Sequence, residues 1–543
     1  MPALFQAMFP ELVLITAACA LLLLGAVRGS AMRRAVPVIA LVSLVFVFGY
    51  QLTRDSDALK PLADPFGTLR VFNFAQYIKL LAAGVGILLI LLAWPSNREA
   101  TGSASIDYAT EAGEFFGLML LSISGIFLVA GANDIILLFL GIELASLPTY
   151  IMVSISRPIP AAQEAGVKYF FLGALAAAIM LFGFSYLYGT TGQINLDAIG
   201  ARFRAGTGAL ASTRLDAWQT LAVVMLIAGF AFKLAAVPLH FYAGDVYQGA
   251  ATPVTAFLSF VPKASGMVAL IKLVYAAGGN SWATPELITK LLWALAALTM
   301  TVGNVLGLWQ LNIKRLFACS SIAHSGYMLV GIAALTAAND FGVQQEALQG
   351  VLFYLAAYGI MNAGAFGVLM LLPARPARNW SGKVTPVPPA TTAETFEDLA
   401  GQGRRHPALG LAMAVCCFSL IGLPLTVGFF GKLYLIRPAL HASLYWLVVI
   451  TMINAAISAA YYLRIVGTLF LRGGSGDDAV ADEPVPMPPM PWPITTAIVL
   501  SVFGTLIFGT IVPATQLLVN RVTDAAQLEP TNPHGTPTAT ASR

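Results

Sequence analysis

Long apolar runs recur from one end of the chain to the other, separated by brief polar gaps. A helix needs about 20 apolar residues to cross the hydrocarbon layer, and that length divides the chain into fourteen segments. Their approximate limits are 11–27, 35–52, 71–94, 114–131, 133–154, 163–188, 217–250, 253–276, 286–309, 313–336, 346–372, 408–440, 442–470 and 493–519. An even number returns the chain to its starting side. Two segments are long and carry interior proline: 217–250 contains Pro238 and Gly244, and 408–440 contains Pro424, Gly428 and Gly431. Proline removes a backbone donor and clashes with the preceding turn. Within a bilayer such a break survives only where protein or a water-filled cavity satisfies the freed groups. Both segments therefore read as discontinuous helices.

The breaks fall at corresponding places. Residues 113–276 hold the fourth to eighth segments and 286–470 the ninth to thirteenth, and each break lies in the fourth helix of its five-helix unit. An odd helix count inverts one unit relative to the other, and paired interruptions in two halves are the pattern of transporters with sites near the midplane. The expectation is an all-α membrane protein of about fourteen spans. Three N-terminal spans (1–112) precede the two repeats, a linker with a last span (471–521) follows them, and a flexible tail (522–543) ends the chain. The stretch 373–407 is the longest polar connection and reads as an amphipathic cytoplasmic loop. Lys and Arg favour cytoplasmic connections. The short, basic first connection (Arg28, Arg33, Arg34) places both termini outside the cytoplasm.

Composition sharpens this picture. Of 543 residues, 58% are hydrophobic and 10% charged, with mean hydropathy +0.78, whereas soluble domains carry roughly 25% charged residues. Such a chain is solvated by lipid. Net charge is +4, and the basic residues stand singly or in pairs at segment ends, without the basic and aromatic patch of a nucleic-acid binder. Cys19, Cys319, Cys416 and Cys417 form no CxxC pair and fall inside apolar runs, which assigns them to packing. The opening MPALFQAMFPELVLI lacks a basic n-region and a small-residue cleavage site, so the first apolar segment is expected to be retained.

Against this background the ionisable residues inside apolar runs stand out. An Asp, Lys or Arg at a helix centre costs roughly 2.5–3.5 kcal/mol on insertion scales, which makes each one a functional candidate. Glu143 is central in NDIILLFLGIELASLPTYIMV, Lys233 precedes the first break, Lys263 follows Pro262 at mid-span, His324 is central in KRLFACSSIAHSGYMLVGI, and Lys432 follows the second break. Desolvation lowers a buried lysine's pKa and a neighbouring carboxylate raises it again. A lysine between these influences takes up and releases a proton when its partner moves. The plainer readings are a Glu143–Lys233 pair that locks two helices and a His324 hydrogen-bonded within the bundle. Lys168 reads either as a relay near the entrance or as an interfacial anchor. Lys272 and Arg464 lie closer to segment ends, where long stems snorkel.

These residues carry a resemblance to the antiporter-like subunits of bacterial NADH-quinone oxidoreductase, respiratory complex I. The stretches that carry it are LLFLGIELASLPTYIMV, the FK-to-PLH segment with GDVYQGAATPV, FLSFVPKA, NIKRLFACSSIAHSGYML, and DLAGQGRRHPALGLAMAVCCFSLIGLPLTVGFFGKLYL. The family implies two inverted five-helix repeats around a hydrophilic axis in the membrane plane. By that resemblance Glu143 takes the place of the fifth-helix glutamate, Lys233 the seventh-helix lysine, Lys263 the eighth-helix lysine, and Lys432 the terminal twelfth-helix residue. Tyr242 and Gly244 stand where the family has Trp and Pro. The chain ends shortly after the fourteenth segment, without the long lateral helix of the largest member. It carries Lys432 where a second member has glutamate, and a third member fits both observations.

The resemblance implies proton translocation through Glu143, Lys233, Lys263, His324 and Lys432, in the bacterial inner membrane, beside other membrane subunits of the complex. It assigns NADH, FMN, iron–sulfur clusters and quinone to partner subunits. The chain itself offers no Rossmann fingerprint or clustered cysteines for them. The competing readings are a subunit of a multi-subunit cation/proton antiporter, a membrane subunit of a hydrogenase or formate-linked complex, and a scaffold that conducts nothing.

Overall fold

The computed structural model of the chain describes residues 8–26, 30–53, 68–69, 73–94, 108–157, 159–205, 215–279, 282, 284–373, 393–472, 491–511, 516 and 519–523. Most of the loop 373–407, nearly all of the tail 522–543 and the linker 473–490 lie outside the described residues. The N-terminal unit consists of α1 (Phe9–Gly25), α2 (Ser30–Thr53) and α3 (Asn73–Leu92). Next come α4 (Tyr108–Gly131), α5 (Ile135–Ile155), α6 (Pro160–Thr191), the short α7 (Leu196–Ala205), α8 (Ala217–Lys233), α9 (Ala243–Gly249) and α10 (Thr252–Ala277). The second half runs α11 (Glu286–Trp309), α12 (Ile313–Ala337), α13 (Phe341–Leu371), α14 (Phe396–Leu399), α15 (Gln402–Arg405), α16 (Pro407–Ile421), α17 (Val427–His441) and α18 (Tyr445–Phe470), closed by α19 (Trp492–Thr510).

Among the described residues, eleven helices are long and apolar enough to cross a bilayer, and α1, α8 and α16 are shorter apolar helices. With α8–α9 and α16–α17 each taken as one interrupted span, the chain has the fourteen spans read from its apolar runs. Both interruptions lie where proline foretold them. The first begins directly after Lys233, so that lysine is the last helical residue, and the chain passes a cis Val237–Pro238 bond before α9. The second spans Gly422 to Thr426 around Pro424. Each break holds a non-glycine residue in left-handed backbone, Ala235 at φ 53° and Leu425 at φ 72°. That conformation costs roughly 1–2 kcal/mol and persists because the flanking half-helices are held by packing.

The two halves repeat their packing. In the first, α5 packs against α4 and α6, and α10 closes the unit against α4 and α8; in the second, α12 packs against α11 and α13, and α18 closes it against α11 and α16. The helices α10 and α12 are buried along their whole apolar windows and α13 nearly so, whereas α6 and α18 turn most of their surface outward. The centre of the molecule is therefore a bundle of helices that lipid does not touch. Small residues let the backbones approach. A Cβ built on Gly125 of α4 would lie 2.3 Å from the backbone nitrogen of Ala145 in α5, and one on Gly428 would lie 1.9 Å from the carbonyl oxygen of Ser419.

Close contact through small residues is the main source of helix association within lipid. Gly125→Ala is therefore expected to lower thermal stability in detergent by about 1–3 kcal/mol. Gly125→Leu is expected to remove the folded subunit from the membrane, as read by native electrophoresis. Wild-type abundance of the leucine variant would contradict the α4–α5 packing.

Candidate functional site

Glu143 and Lys233 meet. The lysine amine donates to Glu143 Oε1 at 3.0 Å, to Ser146 Oγ at 2.9 Å and to Tyr150 Oη at 3.1 Å, so its three protons have three acceptors. Glu143, Ser146 and Tyr150 recur at three- and four-residue intervals on one face of α5. Lys233 is 3% exposed. The next residue of the break is tied to the second half, because Ser325 Oγ of α12 donates to the Leu234 carbonyl at 2.7 Å.

Lys263, 2% exposed, faces the same stretch of α12. Its amine donates to the Ser321 carbonyl and, at 3.0 Å, to Ser325 Oγ. Ser325 thus stands between Lys263 and the backbone beside Lys233. Gly266, one turn beyond Lys263, lies so close to Lys233 that an added Cβ would meet the lysine Cβ at 3.0 Å.

His324 contacts neither lysine directly. Its Nδ1 lies 2.6 Å from Tyr354 Oη and its Nε2 3.1 Å from Tyr462 Oη, and Tyr462 in turn reaches Ser320. The Tyr358 ring lies tilted at 5.1 Å from the imidazole, and its hydroxyl donates to Ser321 Oγ at 2.7 Å. Tyr358 therefore stands between Ser321, whose carbonyl holds Lys263, and the imidazole of His324. Lys432, 7% exposed, donates to the carbonyls of Leu420 at 3.1 Å and Ile421 at 2.7 Å, the end of the interrupted α16, and lies 4.8 Å over the Tyr327 ring. Gly422, at φ 90°, passes directly beneath it. Tyr354 packs on Gly431 beside Lys432, which closes the row from Glu143 to Lys432.

The amino groups thus face the centre of the bundle and not its perimeter. Lys168 lies apart from the row. Its half-exposed amine pairs with Glu164 at 2.7 Å and Asp245 at 3.0 Å. Arg315 meets the same Asp245 at 3.0 Å. Lys272 corrects the reading of a snorkelling side chain. It turns inward and donates to the carbonyls of Ala130 at 2.7 Å and Ala132 at 2.5 Å, at the C-terminal end of α4, where carbonyls lack helical partners. Arg464 behaves as an end-of-span residue, with its guanidinium 4.0 Å over the Phe396 ring.

Two groups of charges escaped the sequence. Glu11 of α1 and Lys79 of α3 form an ion pair at 2.6 Å, each 1% exposed. Both stand near segment starts, which disguised them as interfacial. In the second group Glu394 receives Lys314 at 2.8 Å and Arg157 at 3.0 Å. Lys314 also donates to the Ala250 carbonyl at 3.0 Å. The departure at Tyr242 has a local explanation. Its ring stacks between Phe232 at 4.5 Å and Tyr169 at 5.2 Å, and its hydroxyl donates to the Phe232 carbonyl at the edge of the break. Gly244 lies open toward Arg315. All four cysteines are free, and among the described residues no three His, Cys, Asp or Glu side chains converge as a metal-binding group.

A many-span helical bundle, interrupted in two spans and carrying a buried row of lysines, is the architecture of an antiporter-like membrane protein. Residues 132–458 match the family described as NADH:quinone oxidoreductase/Mrp antiporter, TM, and the chain belongs to that family. Proteins named NADH-quinone oxidoreductase subunit N are similar over most of its length. That of Trichlorobacter lovleyi is 36% identical over 503 residues, 92% of each chain. That of Salinibacter ruber is 39% identical over 421 residues, 77% of this chain and 76% of the other. A chain of the respiratory complex I of Thermus thermophilus, in a structure with bound aureothin, superposes with TM-score 0.72 and 28% identity. It covers 95% of this chain and 99% of that one. A chain of the Mrp complex from Dietzia sp. shares the fold with TM-score 0.70 at 20% identity, covering 95% and 97%.

Burial pushes the Glu394 carboxyl up, but the Lys314 ammonium and the Arg157 guanidinium beside it outweigh burial and hold it below the usual carboxylate range. A group with a depressed folded pKa contributes stability above its unfolded value and loses it as pH falls through the lowered one. Glu394→Gln should therefore lower the unfolding temperature in detergent at pH 7, with the gap to the unchanged chain narrowing as pH drops below about 4. A gap independent of pH would show that Glu394 contributes without its charge.

Proposed function

We propose that this chain is the proton-translocating membrane subunit of an NADH-quinone oxidoreductase, one subunit of a larger complex in the bacterial inner membrane. The single observation that carries the reading is the buried row Glu143, Lys233, Lys263, His324 and Lys432 at the centre of the bundle, set between two interrupted helices. Family membership and relatives named subunit N support the assignment. The termini are assigned to the periplasmic side by the basic connections. NADH, FMN, iron–sulfur clusters and quinone are assigned to partner subunits.

In the proposed cycle the Glu143 carboxylate accepts from the Lys233 amine. Withdrawal of the carboxylate, driven by quinone chemistry elsewhere in the complex, makes the Lys233 ammonium costly in its low-dielectric surroundings, and its proton moves to Lys263. From there the tyrosine hydroxyls and the imidazole of His324 relay it, each accepting one proton and giving up another, to Lys432. The carbonyls of Leu420 and Ile421 receive the charged amine. Release to the far side resets the row. Moving one charge against 100 mV costs about 2.3 kcal/mol, well within what a shifted buried ion pair supplies.

Lys263→Ala and Lys432→Ala should each lower the protons moved per NADH oxidised in proteoliposomes of the whole complex. General acid–base partners contribute on the order of 100-fold or more to such transfers, so the loss should be large. An unchanged proton-to-electron ratio in a fully assembled complex would reduce the row to a scaffold.

A further inference from the structure

The central helix α12 carries two polar faces. Lys314, Ser321 and Ser325 meet the first half of the molecule, at Ala250, Lys263 and Leu234. Ser320, His324 and Tyr327 recur at four- and three-residue intervals on a second face, which meets the second half. Ser320 and His324 reach Tyr354 and Tyr462 there, whereas the Tyr327 hydroxyl meets Asn304 of α11. Asn304 is fully buried and touches no member of the row except through Tyr327's neighbourhood of Lys432 and His324.

The Asn304 amide nitrogen donates to Tyr327 Oη at 3.0 Å and lies 2.8 Å from the Met300 carbonyl and 3.2 Å from Asn454 Oδ1. Its own Oδ1 accepts from Tyr461 Oη at 2.9 Å, and Asn454 reaches Thr301 Oγ1 at 3.1 Å. Although α18 turns most of its surface outward, Thr451, Asn454, Ser458 and Tyr461 line its buried face at three- and four-residue intervals. A fully satisfied buried network of this kind rigidifies what it holds. Gly303 and Gly326 bring α11 and α12 together beside it, since a Cβ on Gly326 would lie 2.5 Å from the Met300 nitrogen. Tyr327 is thus fixed at its hydroxyl and at its base.

The face of that ring carries Lys432. The amine lies 4.8 Å from the ring centroid, against 5.7 Å for Lys233 over Tyr150 and 5.9 Å for Lys263 over Tyr358. Its hydrogen bonds go to the Leu420 and Ile421 carbonyls, two acceptors for the three protons of an ammonium. A ring face attracts a cation through its quadrupole, more strongly where water is excluded, and offers a neutral amine nothing comparable.

We propose that the Tyr327 ring supports the charged form of Lys432, and that Asn304 is the positioning residue that holds the ring in place. The proposal rests on the reading of Lys432 as a proton carrier. Among the described residues, the titratable side chains turned toward Lys432 are Tyr327 and His324 of α12 and Tyr354 of α13. The helix α16 brings only cysteines, α19 carries no titratable side chain, and Tyr461 and Tyr462 of α18 are engaged with Asn304, Ser320 and His324. On its own helix Arg437 and His441 pair with Glu346 toward the end of α17. No carboxylate therefore offsets the ammonium, and the ring is the group that distinguishes its charged from its neutral state.

The test uses the complete complex in proteoliposomes, with Tyr327→Leu, Tyr327→Phe, Asn304→Leu, the Tyr327→Phe/Asn304→Leu double variant and, as reference, Lys432→Ala. The readout is protons moved per NADH oxidised as a function of pH, with assembly checked by native electrophoresis. Without the ring the ammonium is less favourable, so Lys432 takes its proton only at lower pH and the alkaline fall-off moves down. For Tyr327→Leu that shift should be about 0.5–1 pH unit. Tyr327→Phe and Asn304→Leu should each shift the fall-off the same way by less, and together by no more than the larger single change, because both remove one bond. Assembled Tyr327→Leu with an unshifted profile, beside a defective Lys432→Ala, would overturn the proposal and leave the proposed function standing. A normal Lys432→Ala would overturn both. Additive shifts in the double variant would overturn the role given to Asn304. If Tyr327→Leu fails to assemble, the other two single variants decide, and unshifted profiles in both overturn the proposal.

Discussion

A helix that stops inside a bilayer leaves carbonyls without partners, and a lysine buried at the same depth lacks acceptors; at the second break of this protein each supplies what the other needs. Lys432 donates to the carbonyls of Leu420 and Ile421, where α16 ends. Lys233 is itself the last residue of α8, and the carbonyls on either side of it, Phe232 and Leu234, accept from the hydroxyls of Tyr242 and Ser325. In lipid an unsatisfied backbone group costs several kcal/mol, as does an unpaired ammonium. At Lys432 this pairing binds the amine only through neutral oxygens, so a small change in surroundings alters whether the proton stays.

The three lysines are held differently. Lys233 has a carboxylate, whereas Lys263 and Lys432 have carbonyls, with a hydroxyl besides at Lys263. The row therefore runs from a site where positive charge is compensated to sites where it is only solvated by dipoles. A proton moving along it trades ion pairing for dipole solvation, and return of Glu143 to its partner restores the starting balance. This asymmetry follows from single residues on single helices.

Much of this was legible before any coordinates, because a bilayer makes ionisable residues conspicuous. Glu143, Lys233, Lys263, His324 and Lys432 were visible as charges or imidazole in apolar runs, and Pro238 and Pro424 marked both breaks. The hydroxyls that connect them were not visible, since Ser321, Tyr354 and Tyr462 are ordinary residues of a membrane helix until tertiary packing points them at one another. Glu11 and Lys79 were hidden for the opposite reason: close to segment ends, they imitate interfacial charges that snorkel. Lys272 was misread on that logic, because only the folded bundle brings the end of α4 within its reach. Glu394 sits well inside the polar stretch 373–407, whose composition gave no hint that its carboxylate binds two buried cations.

The two-faced register of α12 has a consequence for how this chain tolerates change. One residue inserted between Arg315 and Ser320 would rotate everything after it by about 100° relative to the helix start. Lys314 would keep its hold on Ala250, but the serines would swing away from Lys263 and the imidazole away from its tyrosines. Length variation in α12 is thus far more disruptive than substitution at most of its positions, and indels belong in the connections outside the bundle.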